Sequence, residues 1–185
     1  VVKLLLKHSD NIDLNARNNR GQTSFIGACR YGKVQVVKFL LTNSTIELNT
    51  RDNEGWTAFM WACSNGHKDV VKVIIEYSDK IVLNTRNADG WTAFMYACQK
   101  GYKDVVQLLL DHTGKNIDLN ARNNRGGTAL MMACQNRHKD VVQLLLDHSE
   151  RIELNARNNT RWTAFMIACN NGHKDVVQLL LDHSE

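Results

Sequence analysis

The stretch NEGWTAFMWACSNGHKDVVKVII, residues 53–75, decides the reading of the chain, because most of its letters return at a fixed interval. Its threonine, Thr57, belongs to the series Thr23, Thr57, Thr92, Thr128 and Thr163, spaced 34, 35, 36 and 35 residues apart. Cys29, Cys63, Cys98, Cys134 and Cys169 keep the same spacing, and so do Asn15, Asn49, Asn84, Asn120 and Asn155. Aligned from Ile117 and Ile152, the last two copies agree at 26 of 34 columns. A period this regular means supersecondary units stacked in a row, each in contact only with its neighbours.

Two helices are legible within each unit. The first opens on a threonine suited to N-cap it, as in TAFMWACSN from Thr57, and stops at Gly66. The second is DVVKVIIEY or DVVQLLLDH, led by an aspartate that complements the positive end of the helix dipole. In VVQLLL only the glutamine is polar, so the apolar arc spans about 200°, twice what a one-sided surface helix needs. Such a helix is sandwiched between neighbours. Between units run turn-rich segments such as IELNTRDNEGW, with Asn, Asp and Gly where a hairpin-like turn wants them. One unit alone buries too little apolar surface to offset the ordering of its backbone, so repetition is a condition of folding.

These residues resemble the ankyrin repeat, whose pattern runs D-x-x-G-x-T-P-L-H-x-A-A-x-x-G-H-x-x-x-V-x-x-L-L followed by G-A-D-V-N-A. The resemblance covers almost all of residues 1–185 as a single domain. It divides into a half repeat at 1–11 and repeats at about 12–45, 46–80, 81–116, 117–151 and 152–185. It implies a mainly α, slightly curved solenoid of helix–turn–helix units joined by hairpin-like loops. It also implies a non-catalytic protein-binding scaffold that uses its concave face and fingers.

Several departures from the family pattern are visible. The proline after threonine is Ser24, Ala58, Ala93, Ala129 or Ala164, and the chain has no proline at all. The histidine is Ile26, Met60, Met95, Met131 or Met166, which exchanges a polar link for apolar packing. The unit is about two residues longer than the family's 33, through segments such as DHSERIELN, which predicts a longer helix end or a wider back loop. Arg137 and Arg161 stand where the pattern has glycine, so the pattern does not fix the turn geometry at those two points.

The motifs that look chemical read as structural. Asp147-His148-Ser149 and Asp182-His183-Ser184 read like a triad, but consecutive helical residues point about 100° apart and cannot form a hydrogen-bonded relay. The five cysteines lie once per unit, on helices stacked about 8–10 Å apart. A disulfide needs Cα atoms within about 7 Å and zinc needs sulfurs at about 2.3 Å. The pairs Cys63/His67, Cys134/His138 and Cys169/His173 supply two ligands at best. Buried free thiols, no cofactor, no metal and a cytoplasmic setting are therefore expected. No apolar run approaches the roughly 18–20 residues of a membrane span.

Two signals point to a partner. Arg17, Arg51, Arg86, Arg122 and Arg157 recur at one finger position, and eight of the eleven arginines lie in the fingers. Only Asp52, Glu54 and Asp89 oppose them there. This predicts a basic edge, read either as a solvated ladder that stacks and pairs locally or as a guide for an acidic partner. The second signal is variation against a constant frame. The columns Gln22, Trp56, Trp91, Gly127, Trp162 and Gly27, Trp61, Tyr96, Met132, Ile167 change from unit to unit, as do Arg30, Ser64, Gln99, Gln135 and Asn170. They match the family's contact positions, and Trp56, Trp61, Trp91 and Tyr96 form the leading candidate patch. Nucleic-acid binding through the arginine ladder and a structural spacer role in a larger protein stand as alternatives. The final VVQLLL at 176–181 is as apolar as its internal copies. This leads to the expectation of a longer array or of end-to-end self-association.

Overall fold

The computed structural model describes residues 12–42, 45–112 and 117–183, so the half repeat at 1–11 lies outside the described residues. Each periodic threonine opens a short helix. Thr23, Thr57, Thr92, Thr128 and Thr163 hold extended backbone, and each hydroxyl accepts the N–H three residues on, at 3.2–3.4 Å. The helices they cap are α1 (Ser24–Arg30), α3 (Ala58–Ser64), α5 (Ala93–Lys100), α7 (Ala129–Gln135) and α9 (Ala164–Asn170). Alanine at the first helical position serves in place of proline.

Each of these helices stops at a left-handed residue, after which the next N–H reaches back to an alanine carbonyl, as from His67 to Ala62 at 3.0 Å and from His138 to Ala133 at 3.0 Å. The chain then turns into α2 (Val34–Leu41), α4 (Lys68–Glu76), α6 (Lys103–His112), α8 (Lys139–Leu146) and α10 (Lys174–Asp182). The residues beyond the family's length form short 3₁₀ turns at Ser78–Lys80 and Ser149–Arg151, which is the wider back loop the sequence predicts.

The ten helices, with no strand among the described residues, pack in two rows. The first helix of each pair lies on the first helix of the next, and the second on the second. The core is a continuous ladder rather than a centre. Phe25, Phe59 and Phe94 with Met60, Met95 and Met131 are fully buried between successive pairs. In the fifth pair the corresponding Phe165 and Met166 are 39% and 47% exposed, since no helix covers that face among the described residues. The same difference separates Cys29, Cys63, Cys98 and Cys134, which are buried, from Cys169, which is exposed; all five are free. Burial raises the four interior thiols, Cys134 to about 12, and Cys63 feels Cys98 and Cys29 in addition. These thiols stay protonated and unreactive.

The periodic asparagines are rungs. Asn15 Nδ2 donates to Thr45 O at 2.8 Å, while its Oδ1 accepts Glu47 N–H at 2.9 Å. Asn49 does the same with Lys80 and Val82, and Asn120 with Arg151 and Glu153. Successive fingers are also joined by one backbone bond each, such as Asn53 N–H to Arg20 O at 3.0 Å and Asn124 N–H to Asp89 O at 3.0 Å.

Fingers this close leave no room at their tips. A Cβ at Gly90 would lie 2.8 Å from the backbone nitrogen of Asn124, and its φ is +79°. The fifth finger carries Arg161 there, at φ 66°, with no finger beyond it among the described residues. Arg137 takes the other glycine position at φ 57°. Both arginines thus adopt the left-handed geometry of the glycines they replace, and the turns are unchanged.

Candidate functional site

Each finger is shaped by one polar side chain at its base: Asn18, Asp52, Asn87, Asn123 or Asn158. Its Oδ1 accepts the N–H groups two and four residues on, as Asp52 does from Glu54 at 3.1 Å and Trp56 at 2.8 Å. In the second and third units the remaining side-chain atom reaches the first helix of the same unit. Asp52 Oδ2 accepts the indole N–H of Trp61 at 3.0 Å, and Asn87 Nδ2 donates to the hydroxyl of Tyr96 at 2.9 Å. The two residues are chosen to suit their partners. An indole offers only a donor and needs a carboxylate, whereas a phenol can accept from an amide.

Held in this way, the rings of the second and third units interleave. Trp61 stacks on Trp56 with centroids 4.3 Å apart, Trp56 on Tyr96 at 4.2 Å, and Tyr96 on Trp91 at 4.9 Å. The Arg30 guanidinium closes one end, 4.2 Å from the Trp61 ring and 5.5 Å from that of Tyr31. The result is a half-buried aromatic column along the groove between fingers and helices. Each stacked pair adds about 0.5–1.5 kcal/mol beyond its buried area. Burial, with Asp89 and then Glu54 nearby and against the Asn87 hydrogen bond, pushes the Tyr96 hydroxyl up to about 12.

The other expected site residues are distributed differently. Gln22 joins the end of the column, with Nε2 3.5 Å from Asp52 Oδ2. Trp162 is exposed and lies apart from the column, beyond the side-chain-free Gly127. Gln99 is half-buried, while Gln135 and Asn170 are exposed on the helix side. Ser64 lies deeper than Arg30 and Gln99 of the same column. It is 8% exposed and part of the interior, its side chain too short to reach the groove from the position that Arg30 and Gln99 occupy.

The arginine ladder pairs locally, from finger to finger. Arg17 donates to Gly21 O at 3.0 Å and to Arg51 O at 2.6 Å, tying one finger to the next. Arg86 repeats the tie through Gly90 and Arg122, and Arg122 reaches Arg157 O at 2.8 Å and Glu153 at 3.3 Å. Three of the five rungs are therefore internal fasteners. Arg51 and Arg157 contribute their carbonyls to this chain of bonds.

The triad-like letters have ordinary partners. Asp147 accepts from Gln143 at 2.8 Å, and His148 Nδ1 donates to Leu144 O at 2.9 Å. Ser149 meets His183 of the following unit at 2.9 Å, and Ser184 lies outside the described residues. His67, His138 and His173 each donate to a carbonyl of the preceding unit, at Arg30 or at Gln99 and Gln135. Among the described residues no three His, Cys, Asp or Glu side chains converge as metal ligands, and no helix is long and apolar enough to cross a membrane.

A family profile described as ankyrin repeats (3 copies) matches residues 45–123 and 115–185, and one described as ankyrin repeats (many copies) matches residues 5–59. The chain belongs to the ankyrin repeat family. No curated protein sequence matches it. Ankyrin repeats are generally protein–protein interaction modules and typically not enzymes. Sequence reasoning missed Asp52, Asn87 and Tyr31, the supports of the column. The available signal was a single aspartate in a column otherwise made of asparagine.

Proposed function

We propose that this ankyrin stack is a non-catalytic scaffold whose partner protein lies in the groove across the second and third units. The observation that carries the reading is the stacked column of Trp61, Trp56, Tyr96 and Trp91, half-buried and built from the columns that vary between units. Rigid aromatic rings contribute large contact area with little side-chain entropy to lose, which makes them efficient anchors. The inter-finger ties and asparagine rungs hold the groove in shape before binding, so association orders little of the scaffold. Free thiols in all five units agree with a reducing, cytoplasmic setting. Nucleic acid receives less support, because Arg17, Arg86 and Arg122 are engaged within the stack.

The test is affinity capture from extract of the source cells with quantitative mass spectrometry, comparing the parent domain with Trp91→Ala and Trp56→Ala/Trp91→Ala. Circular dichroism establishes that both variants remain folded. Loss of specific partners from the folded variants is the expected result. An unchanged partner set removes the aromatic groove from the proposal.

A further inference from the structure

Arg30 is placed for a contact that none of the described residues supplies. It ends α1, and its guanidinium lies between the rings of Trp61 and Tyr31. Stacking engages the faces of the guanidinium and leaves its in-plane N–H groups for other partners. Its single side-chain hydrogen bond among the described residues is the long one to Gln22 Oε1, at 3.4 Å. None of the ion pairs among the described residues includes it. Arg20, on the first fingertip, uses its backbone to bond Asn18 and Asn53, while its side chain is exposed and in no ion pair among the described residues. Both arginines line one pocket between the first and second fingers, together with Gln22 and Asn53.

The acids in that pocket do not answer these arginines. Asp52 is 7% exposed, and its two oxygens already accept from Glu54 N, Trp56 N, Trp61 Nε1 and Gln22 Nε2. Glu54 is exposed on the second fingertip. It also lines the pocket, yet it forms no ion pair with either arginine among the described residues. Basic groups therefore stand at the first finger, and the exposed Asp89 stands two fingers on.

We infer that this pocket is the anchor for a carboxylate side chain of the partner, received by the stacked Arg30 with Arg20 beside it. The inference rests on the groove being a protein-binding surface. A planar guanidinium fixed by stacking meets a carboxylate with two parallel hydrogen bonds and loses little freedom in doing so. The same polarity sets the direction of a bound segment. Its acidic residue lies at the first finger, its apolar part on the column, and any basic residue near Asp89.

The probe is a set of 12-residue peptides selected on the intact domain from a random phage-displayed library, then made synthetically with a fluorescent label. Selected peptides are expected to share an aspartate or glutamate, and changing it to the amide should weaken binding about tenfold. Arg30→Ala should weaken the acidic peptide equally and leave the amide peptide unaffected. Arg30→Lys should recover little, since it keeps the charge and loses the stacked fork. Arg20→Ala gives a smaller loss in the same direction and covers the case of a misfolded Arg30 variant. Peptides without a shared acid, or acid and arginine effects that simply add, overturn the inference. If Trp91→Ala abolishes binding while the acid and Arg30 changes do nothing, only the anchor falls. A selection yielding no peptides sensitive to Trp91→Ala counts against the groove reading as well.

Discussion

The pairing of Asp52 with Trp61 can be tested by removing only a charge. Asp52→Asn keeps the shape of the side chain and keeps Oδ1 for the N–H groups of Glu54 and Trp56. It sets an amide N–H₂ against the indole N–H, now at 3.0 Å from an acceptor, and against the Gln22 amide at 3.5 Å. Donor then faces donor in a site only 7% exposed, where solvent screens little. A hydrogen bond to a charged group is worth about 1.5–3 kcal/mol, so we expect a loss of about 2 kcal/mol. The Trp61 ring should also loosen from Trp56, weakening the coupled near-ultraviolet circular dichroism of the two indoles. Urea denaturation by far-ultraviolet dichroism measures the first effect. The decisive variant is Asp52→Asn/Trp61→Tyr, which rebuilds the arrangement that Asn87 and Tyr96 already make at 2.9 Å. The double variant should recover at least about 1 kcal/mol relative to the sum of the single changes. An Asp52→Asn protein within about 0.5 kcal/mol of the parent, or strictly additive changes, would refute the matching of donor to acceptor.

Arg161→Gly should raise the denaturation midpoint, because a non-glycine residue at φ 66° costs about 1–2 kcal/mol. Arg137→Gly relieves the same geometry but loses the exposed 3.1 Å pair with Asp175, so a smaller gain is expected in the same urea assay. A thiol reagent under native conditions should modify one cysteine per chain quickly, and Cys169→Ser should abolish that phase. A second fast thiol would contradict the closed ladder. In an alkaline titration by ultraviolet absorbance, Tyr96 should ionise last, at about 12, with Tyr96→Phe as the control. The fold favours its neutral hydroxyl. Its contribution to stability is therefore intact below pH 10, where an unfolded tyrosine starts to ionise, and is lost as pH rises towards 12.

The solenoid was legible because the contacts between units enforce the period. Thr57 caps, Gly66 stops, Cys63 packs and Asn49 bridges, and the same residue types recur in these roles along the stack, with Arg137 the one substitute at a stop. The aromatic patch was legible for the opposite reason, as variation within a constant frame. What stayed hidden depends on contacts between side chains distant in sequence. Asn or Asp at a finger base reads as turn chemistry, and nothing local says that Asp52 also holds an indole nine residues later. Arg17 recurring as Arg51 reads equally well as a solvated edge or as a fastener, and only the 2.6 Å bond across 34 residues separates the two. Ser64 shares its column with Arg30, but a hydroxymethyl group cannot reach the groove that a guanidinium can.

The same contacts explain why the groove can vary while the frame does not. The rungs and finger ties use backbone groups and the constant Asn and Arg columns, none of which touches the identity of the tip residue. The tip and the facing helix position are not independent of each other, however. Where the second and third units set Trp56 against Trp61 and Trp91 against Tyr96, the fourth has Gly127 and Met132. A Cβ at Gly127 would lie 2.6 Å from the Met132 methyl, so the methionine occupies the space a tip side chain would need. A larger tip residue therefore requires this methionine to swing aside or a different residue on the helix. The aromatic column ends at Trp91, where both members of the next pair change together.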